Sequence, residues 1–235
     1  MRLNADTSQR AVIHSAELPW LASPLPGVER RMLAREGDEV AVATSLVRYA
    51  PGSRFSRHAH ELGEEFFVLE GEFCDESGSY GVGTYVRNPP GSSHAPWSVT
   101  GCTIFVKLRQ MLTHDRQRVV VDTRSAHWQP GLVPGLSVMP LATFETRHTA
   151  LVRWSPGTHF QTHRHAGGEE ILVLAGTFED EHGCYPQGTW LRNPHLSEHR
   201  PFSTQGCTLL VKTGHLAPTE DGRSGAESHL HAARH

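Results

Sequence analysis

The sequence predicts an all-β protein made of two small barrels in tandem, and three observations carry that reading. The first is an internal duplication. Leu46–Lys107 and Leu151–Lys212 align without a gap, and 33 of 62 positions match, against roughly 6% for random residues at typical usage. The second is local pattern: residues 44–49, 66–69, 103–107 and 171–174 are short, β-branched or aromatic, and bounded by Gly, Pro, Ser or Asn, as strands are. The third is turn spacing. Pro51-Gly52, Gly71, Gly78, Pro90-Gly91, Pro156-Gly157, Gly176 and Gly183 recur at the intervals of an antiparallel barrel or sandwich. No stretch calls for a long helix.

Taken in order, each repeat opens on a tryptophan and a turn. Trp20 and Pro26-Gly27 correspond to Trp128 and Pro134-Gly135 at an offset of 108, whereas everything from Leu46 onward corresponds at 105, so a three-residue indel lies between. The expected domains are residues 1–112 and 113–216, each of the usual size for a small domain. Residues 217–235, polar and rich in small side chains, are expected to form a disordered tail.

Composition narrows the function classes. A hydrophobic fraction of 37% over 235 residues is enough for two cores, and a net charge of −3 gives no basic footprint for nucleic acid. No run approaches the ~20 apolar residues of a spanning helix, and the N-terminal residues lack the apolar stretch of a secretion signal. The four cysteines form no CxxC and no disulfide framework, which suits a reducing, cytoplasmic location.

Within the repeats one constellation is written twice. His58, His60, Glu64 and His94 recur as His163, His165, Glu169 and His199, every member displaced by 105. Three imidazoles and a carboxylate make a site for a first-row divalent metal. Residues at i and i+2 on a strand share a face, so both histidines of each HxH pair can point into a barrel. Residues 61–63 can turn the chain to bring Glu64 onto the next strand. His94 arrives through Asn88-Pro89-Pro90-Gly91, in which Pro90-Gly91 suits the centre of a type II turn.

These residues resemble the cupin motifs. Gly52-x5-His58-x-His60-x3-Glu64-x6-Gly71 followed by Gly83-x5-Pro89-x-Gly91-x2-His94 has their form, and Gly157, His163, His165, Glu169 and Gly176 repeat the first motif. The chain looks like a bicupin, which implies a pair of double-stranded β-helix, or jelly-roll, barrels. The 34-residue step from His60 to His94 and the Arg87-Asn88-Pro89 context are most similar to the C-terminal cupin of ChrR-type anti-sigma factors. That resemblance implies zinc held by three His and one Glu, one metal per domain, with iron or manganese as the alternatives. Cupins commonly pair, so a homodimer is a further expectation.

There are departures. Nothing before Trp20 supplies the helical anti-sigma domain of ChrR-type proteins. Ser98 stands at the terminal Asn position of the second motif, and Leu196 replaces its Gly. Because Leu does not take positive φ cheaply, the 193–199 turn is expected to differ in geometry from 88–94.

The remaining polar and aromatic candidates have plainer readings. By strand alternation Glu65 and Glu170 should face away from the barrel interior. Arg87 and Arg192 are expected to pair with carboxylates, and Asn88 and Asn193 to form turns. Cys102 and Cys207 read as buried inert thiols, while Cys74 and Cys184 are not equivalent positions. Phe55/Phe160, Phe66/Ile171 and Trp97/Phe202 are candidates to line a pocket above the metals. His229, His231 and His235 fall in the tail.

Two functions from different classes follow. The resemblance implies a regulatory or sensory metal-binding bicupin in an oxidative-stress-type transcriptional response, acting through a protein partner. The alternative is a mononuclear non-haem metal-dependent dioxygenase acting on a small carbonyl or phenolic compound, since cupins related to the ChrR type include diketone-cleaving enzymes.

Overall fold

A computed structural model of the chain describes residues 1–216. The expected tail and its His229, His231 and His235 lie outside the described residues. Among the described residues the chain is all-β apart from a single 3-10 turn at Ser15–Glu17. No helix among them is long and apolar enough to cross a membrane.

Two compact units are present. The first comprises Met1–Ala5 and His14–His127, the second Asp6–Ile13 with the remainder from Trp128. In the first unit the strands Val28–Gly37, Ala41–Tyr49, Cys102–Leu108, Glu64–Asp75, Thr84–Asn88 and Val119–Asp122 lie side by side in that order. In the second unit Leu136–Phe144, Arg147–Trp154, Cys207–Thr213, Glu169–Asp180, Thr189–Asn193 and Ala11–His14 repeat the arrangement. The edge strands are therefore exchanged. Gln9-Arg10-Ala11-Val12 and Gln117-Arg118-Val119-Val120 correspond at the 108 offset, but the earlier segment completes the second sheet and the later one the first. The first sheet is completed by Val119–Asp122 and the second by Ala11–His14.

The long central strand turns each sheet into a barrel. Glu64–Asp75 pairs with Cys102–Leu108 along its first part and with Gly78–Gly81 and Trp97 along its last. The register shifts at Leu69, and in the other repeat at Leu174; a bulge of this kind bends the strand so that it can serve two sheets. Gly71 follows the bulge at φ +69°, where an added Cβ would stand 2.0 Å from the Gly101 carbonyl oxygen. Gly176 stands in the same way against Gly206, at 2.1 Å. The three-residue indel is also visible: between the paired Glu36 and Val42 lie the five residues 37–41, where the second repeat joins the equivalent pair Phe144 and Arg147 through Glu145 and Thr146 alone.

Apolar residues of alternating positions fill each barrel. Phe66, Val68, Phe73, Val86 and Ile104 are buried together in the first, and Ile171, Val173, Phe178, Leu191 and Leu209 in the second. Each such side chain contributes about 1.5–3 kcal/mol when withdrawn from water.

The turn carrying Leu196 corrects the expectation drawn for it. Leu196 adopts φ +61°, beside +85° for Gly91. Its N–H donates to the His165 carbonyl at 2.9 Å, as that of Gly91 does to His60 at 2.8 Å, and Ser197 N–H reaches Pro194 O at 3.0 Å, as Ser92 reaches Pro89. The two turns share one hydrogen-bond pattern. These bonds outweigh the steric cost of a left-handed leucine, about 1–2 kcal/mol, and the side chain is exposed.

Candidate metal centres

In each barrel the HxH pair lies on a short strand matched to the strand bearing the third histidine. His58 is opposite His94 and His60 opposite Ser92; His163 is opposite His199. The i, i+2 spacing thus delivers two imidazoles to one face, and cross-strand pairing delivers the third. Ring nitrogens of His58, His60 and His94 lie within 4.8 Å of one another, and so do those of His163, His165 and His199.

The carboxylates complete the groups. Glu64 Oε2 is 3.5 Å from His60 Nε2 and 3.6 Å from His94 Nε2. Glu169 Oε2 is 3.5 Å from His165 Nε2 and 3.7 Å from His199 Nε2. All eight candidate ligands are thereby gathered into two clusters of four.

The hydrogen bonds behind the rings set their tautomers. His58 Nδ1 donates to the Ser56 carbonyl at 3.2 Å and His163 Nδ1 to that of Gln161 at 3.1 Å. His94 Nδ1 donates to Asp75 at 3.2 Å, and His199 Nδ1 faces Asp180 at 3.5 Å. With the proton on Nδ1, the Nε2 lone pair is directed inward, the arrangement in which outer residues fix metal-ligating histidines. Asn88 Nδ2 donates to Glu64 Oε2 and Asn193 Nδ2 to Glu169 Oε2, both at 3.0 Å. From sequence these asparagines read only as turn formers. They lie directly across the strand pair from the glutamates, and their side chains orient those carboxylates.

The donor atoms fit a cation. His60 Nε2 and His94 Nε2 are buried without a hydrogen-bond partner, a costly condition for polar nitrogens. In the second barrel His165 Nε2 and His199 Nε2 face each other at 2.9 Å, a contact satisfied by one ring proton or by a cation held between the two nitrogens. Burial disfavours the imidazolium form and, with the charge of His199, lowers His165 to about 4. Burial likewise lowers His60 and His163. Burial raises Glu169 against the opposing pull of His199 and Asn193. Asp180 is buried too, yet its bonds to His199, Tyr185 and the His182 N–H hold it at about 2. Burial thus favours at His60, His163 and His165 the neutral imidazole that a divalent ion requires, while at His94 burial is outweighed by Asp75 and Glu64, which raise it.

The other polar candidates have their own partners. Glu65 is buried beyond the expected alternation and accepts from Tyr85 Oη at 2.9 Å, opposite Arg87 and Lys107. Glu170 is buried opposite Arg192 and Lys212. Arg87 pairs with buried Asp115, as a structural arginine should. Arg192, opposite Glu170 in the strand pair, also donates to the Asp6 and Gln9 carbonyls at 2.7 and 3.4 Å. Cys102 and Cys207 are buried, and burial pushes both thiols up to about 11.

In the second barrel a cavity of about 300 Å³ opens onto the cluster. His163, Glu169 and His199 form its polar floor; Phe160, Ile171, Trp154, Leu136 and Leu132 are among its walls. Phe160 and Ile171 stand where the sequence places them. Phe202 is not in the lining and stacks on His159, centroids 5.3 Å apart. Trp154 also lines the cavity, and its buried indole N–H has no hydrogen-bond partner. Lying 9 residues before His163 and outside either motif, it carries no local signal of that position.

Two jelly-roll barrels, each with a His-based candidate metal site, define a metal-binding bicupin. The chain belongs to the ChrR cupin-like domain family, whose profile matches residues 8–112 and again 116–217. No curated protein matches the chain. Among solved structures it is similar to a proposed dioxygenase from Nostoc punctiforme PCC 73102, at 14% identity and a TM-score of 0.74, covering 91% of this chain and 85% of that one. It is also similar to protein Ylba from E. coli, at 14% identity and 0.68, covering 89% and 92%. A single-residue variant of oxalate decarboxylase from Bacillus subtilis follows at 14% and 0.56, covering 88% and 77%. At these identities the likeness shows the fold.

Proposed function

We propose that the chain is a mononuclear non-haem metal enzyme of the dioxygenase type, working at the second centre on a small, neutral, largely apolar carbonyl or phenolic compound. The observation that carries this reading is the cavity of about 300 Å³ floored by His163, Glu169 and His199. A site serving only to hold a barrel together has no use for a substrate-sized space ending on its ligands, since structural sites are closed. The likeness to the proposed dioxygenase of Nostoc punctiforme supports the same reading. A regulatory role draws its support from family membership alone.

His163, His165, Glu169 and His199 would hold the second ion, and His58, His60, Glu64 and His94 the first. When bound with open positions, iron or manganese supplies a Lewis-acidic, redox-active centre for dioxygen and a chelating oxygen donor. The apolar walls exclude water and seat the body of the substrate. Trp154 offers an indole N–H with no other partner as donor to a substrate oxygen. Among the described residues neither Lys nor Arg lines the cavity, so a dicarboxylate such as oxalate would find no side-chain counter-charge there.

The test is oxygen consumption by the iron-loaded full chain across β-dicarbonyls, phenols and dicarboxylates. Uptake with neutral compounds, abolished in His163→Ala and largely retained in His58→Ala, is the expected result. No uptake with any neutral compound, or a preference for dicarboxylates, would remove the proposal.

A further inference from the structure

The second barrel takes its edge strand from the N-terminal segment, and that segment carries a side chain into the surroundings of the candidate metal centre. Arg10 Nε donates to Asn193 Oδ1 at 3.0 Å. Its Nη2 donates to Asp180 Oδ2 at 3.3 Å and also to Tyr185 Oη. Tyr185 in turn donates to Asp180 Oδ1 at 2.7 Å. One guanidinium thus meets both side chains that stand behind the candidate ligands: Asn193, which donates to Glu169, and Asp180, which faces His199.

We propose that Arg10 is a positioning residue of the second metal centre, delivered by the exchanged segment to fix Asn193 and Asp180 and, through them, Glu169 and His199.

The chemistry of the amide makes the dependence specific. An asparagine side chain presents a carbonyl on one side and two N–H donors on the other. While Arg10 occupies the carbonyl, the amide is held from both sides with its donors toward Glu169; without it only the bond to Glu169 itself holds the amide in place. Arginine suits the place because its planar fork serves an amide oxygen and a carboxylate at once, which a lysine ammonium serves only as a point charge. The segment is itself gripped, since Arg192 holds the Asp6 and Gln9 carbonyls.

The first unit repeats the outer part of this arrangement, the path through the tyrosine, at equivalent positions. Arg118, 108 residues after Arg10, donates to Tyr80 Oη at 3.0 Å, Tyr80 donates to Asp75 at 3.1 Å, and Arg87 holds the Gln117 carbonyl at 3.2 Å. Asp75 is the partner of His94. In both units the arginine of this segment reaches, through a tyrosine, the aspartate behind a candidate ligand; in the second it also meets that aspartate and the asparagine directly, which confines the inference to the second centre.

The inference rests on reading the His and Glu clusters as metal sites, but not on the reaction proposed for them, and the experiment keeps these apart by measuring binding. Co(II) affinity is determined by chelator competition, together with the visible ligand-field spectrum, for the full chain in a His60→Ala background that leaves the second centre to be read. Arg10→Ala should weaken Co(II) there by roughly 10-fold and alter the ligand-field bands. Arg10→Lys should recover part of the affinity. In the chain with both centres intact, Arg10→Ala should weaken one of two ions. Should Arg10→Ala fail to fold by circular dichroism, Arg10→Lys and Arg10→Gln are compared, and the lysine variant should bind tighter. Unchanged affinity and spectrum, or equal weakening at both centres, would overturn the proposal. Absence of Co(II) binding in the unsubstituted chain would instead overturn the metal sites themselves, and failure of oxygen uptake alone would leave Arg10's role standing.

Discussion

Asn88 and Asn193 show how a residue acquires a role from its partner across the sheet. Each precedes a proline, a context that reads as a turn, yet each is the direct cross-strand neighbour of a glutamate. The signal is present in the sequence as a second repeated pair, Glu64 with Asn88 and Glu169 with Asn193, but a 24-residue separation has no local periodicity to announce it. The ligands are legible because i, i+2 spacing is a rule of the strand itself. Asn193→Ala should weaken metal binding at the second centre by roughly 10-fold, read by chelator competition, and an unchanged affinity would show that Glu169 is held by packing alone. For the histidines, burial opposes the charged ring, so in metal-free protein His165 should titrate near pH 4, staying neutral where an exposed histidine is already protonated at about 6.5. Proton NMR across the acidic to neutral range reads this directly, and a midpoint near the ordinary histidine value would contradict it. Thiol chemistry separates the cysteines too. Cys184 is exposed, while burial pushes Cys102 and Cys207 up to about 11. Iodoacetamide at neutral pH should therefore label Cys184 first, with rapid labelling of Cys102 or Cys207 by mass spectrometry as the contrary result.

At the scale of the element, turn residues decide whether the long strand can bend. Gly71 and Gly176 read as turns from sequence, but their demand is stronger than positive φ. A carbonyl oxygen occupies the place of the missing Cβ, at 2.0 and 2.1 Å. Gly176→Ala should cost about 2–3 kcal/mol or more, as overpacked sites do, since backbone and not a flexible side chain has to move. Thermal unfolding of the variant measures it, and a melting temperature equal to that of the parent would refute the close approach. Leu196 makes the opposite case. There the strain expected from sequence is real but does not decide the geometry, because the turn's hydrogen bonds to His165 and Pro194 are worth more. The strain is still stored, so Leu196→Gly should raise stability by about 1 kcal/mol without moving the metal affinity.

At the scale of the whole chain, the duplication makes the strand inventory legible and hides its assignment. A repeat records which segments resemble each other; it carries no mark of which copy of the sheet each segment joins. Ala11–His14 and Val119–Asp122 are near-equivalent strands, and by sequence either could add to Thr84–Asn88 or Thr189–Asn193. The choice is set by contacts that sequence spacing does not display, such as Arg87 with Asp115 and the Gln117 carbonyl, or Arg192 with Asp6 and Gln9. With the strands exchanged in this way, removal of residues 1–13 strips the second sheet of its edge strand and exposes the N–H and C=O groups of Thr189–Asn193 to water. Amide hydrogen exchange should then rise along 189–193 while Thr84–Asn88, still covered by Val119–Asp122, stays protected. A synthetic peptide of residues 6–16 added in trans should restore protection to 189–193 and leave 84–88 unchanged. Loss of protection at 84–88 in its place would mean that each repeat keeps its own leading strand.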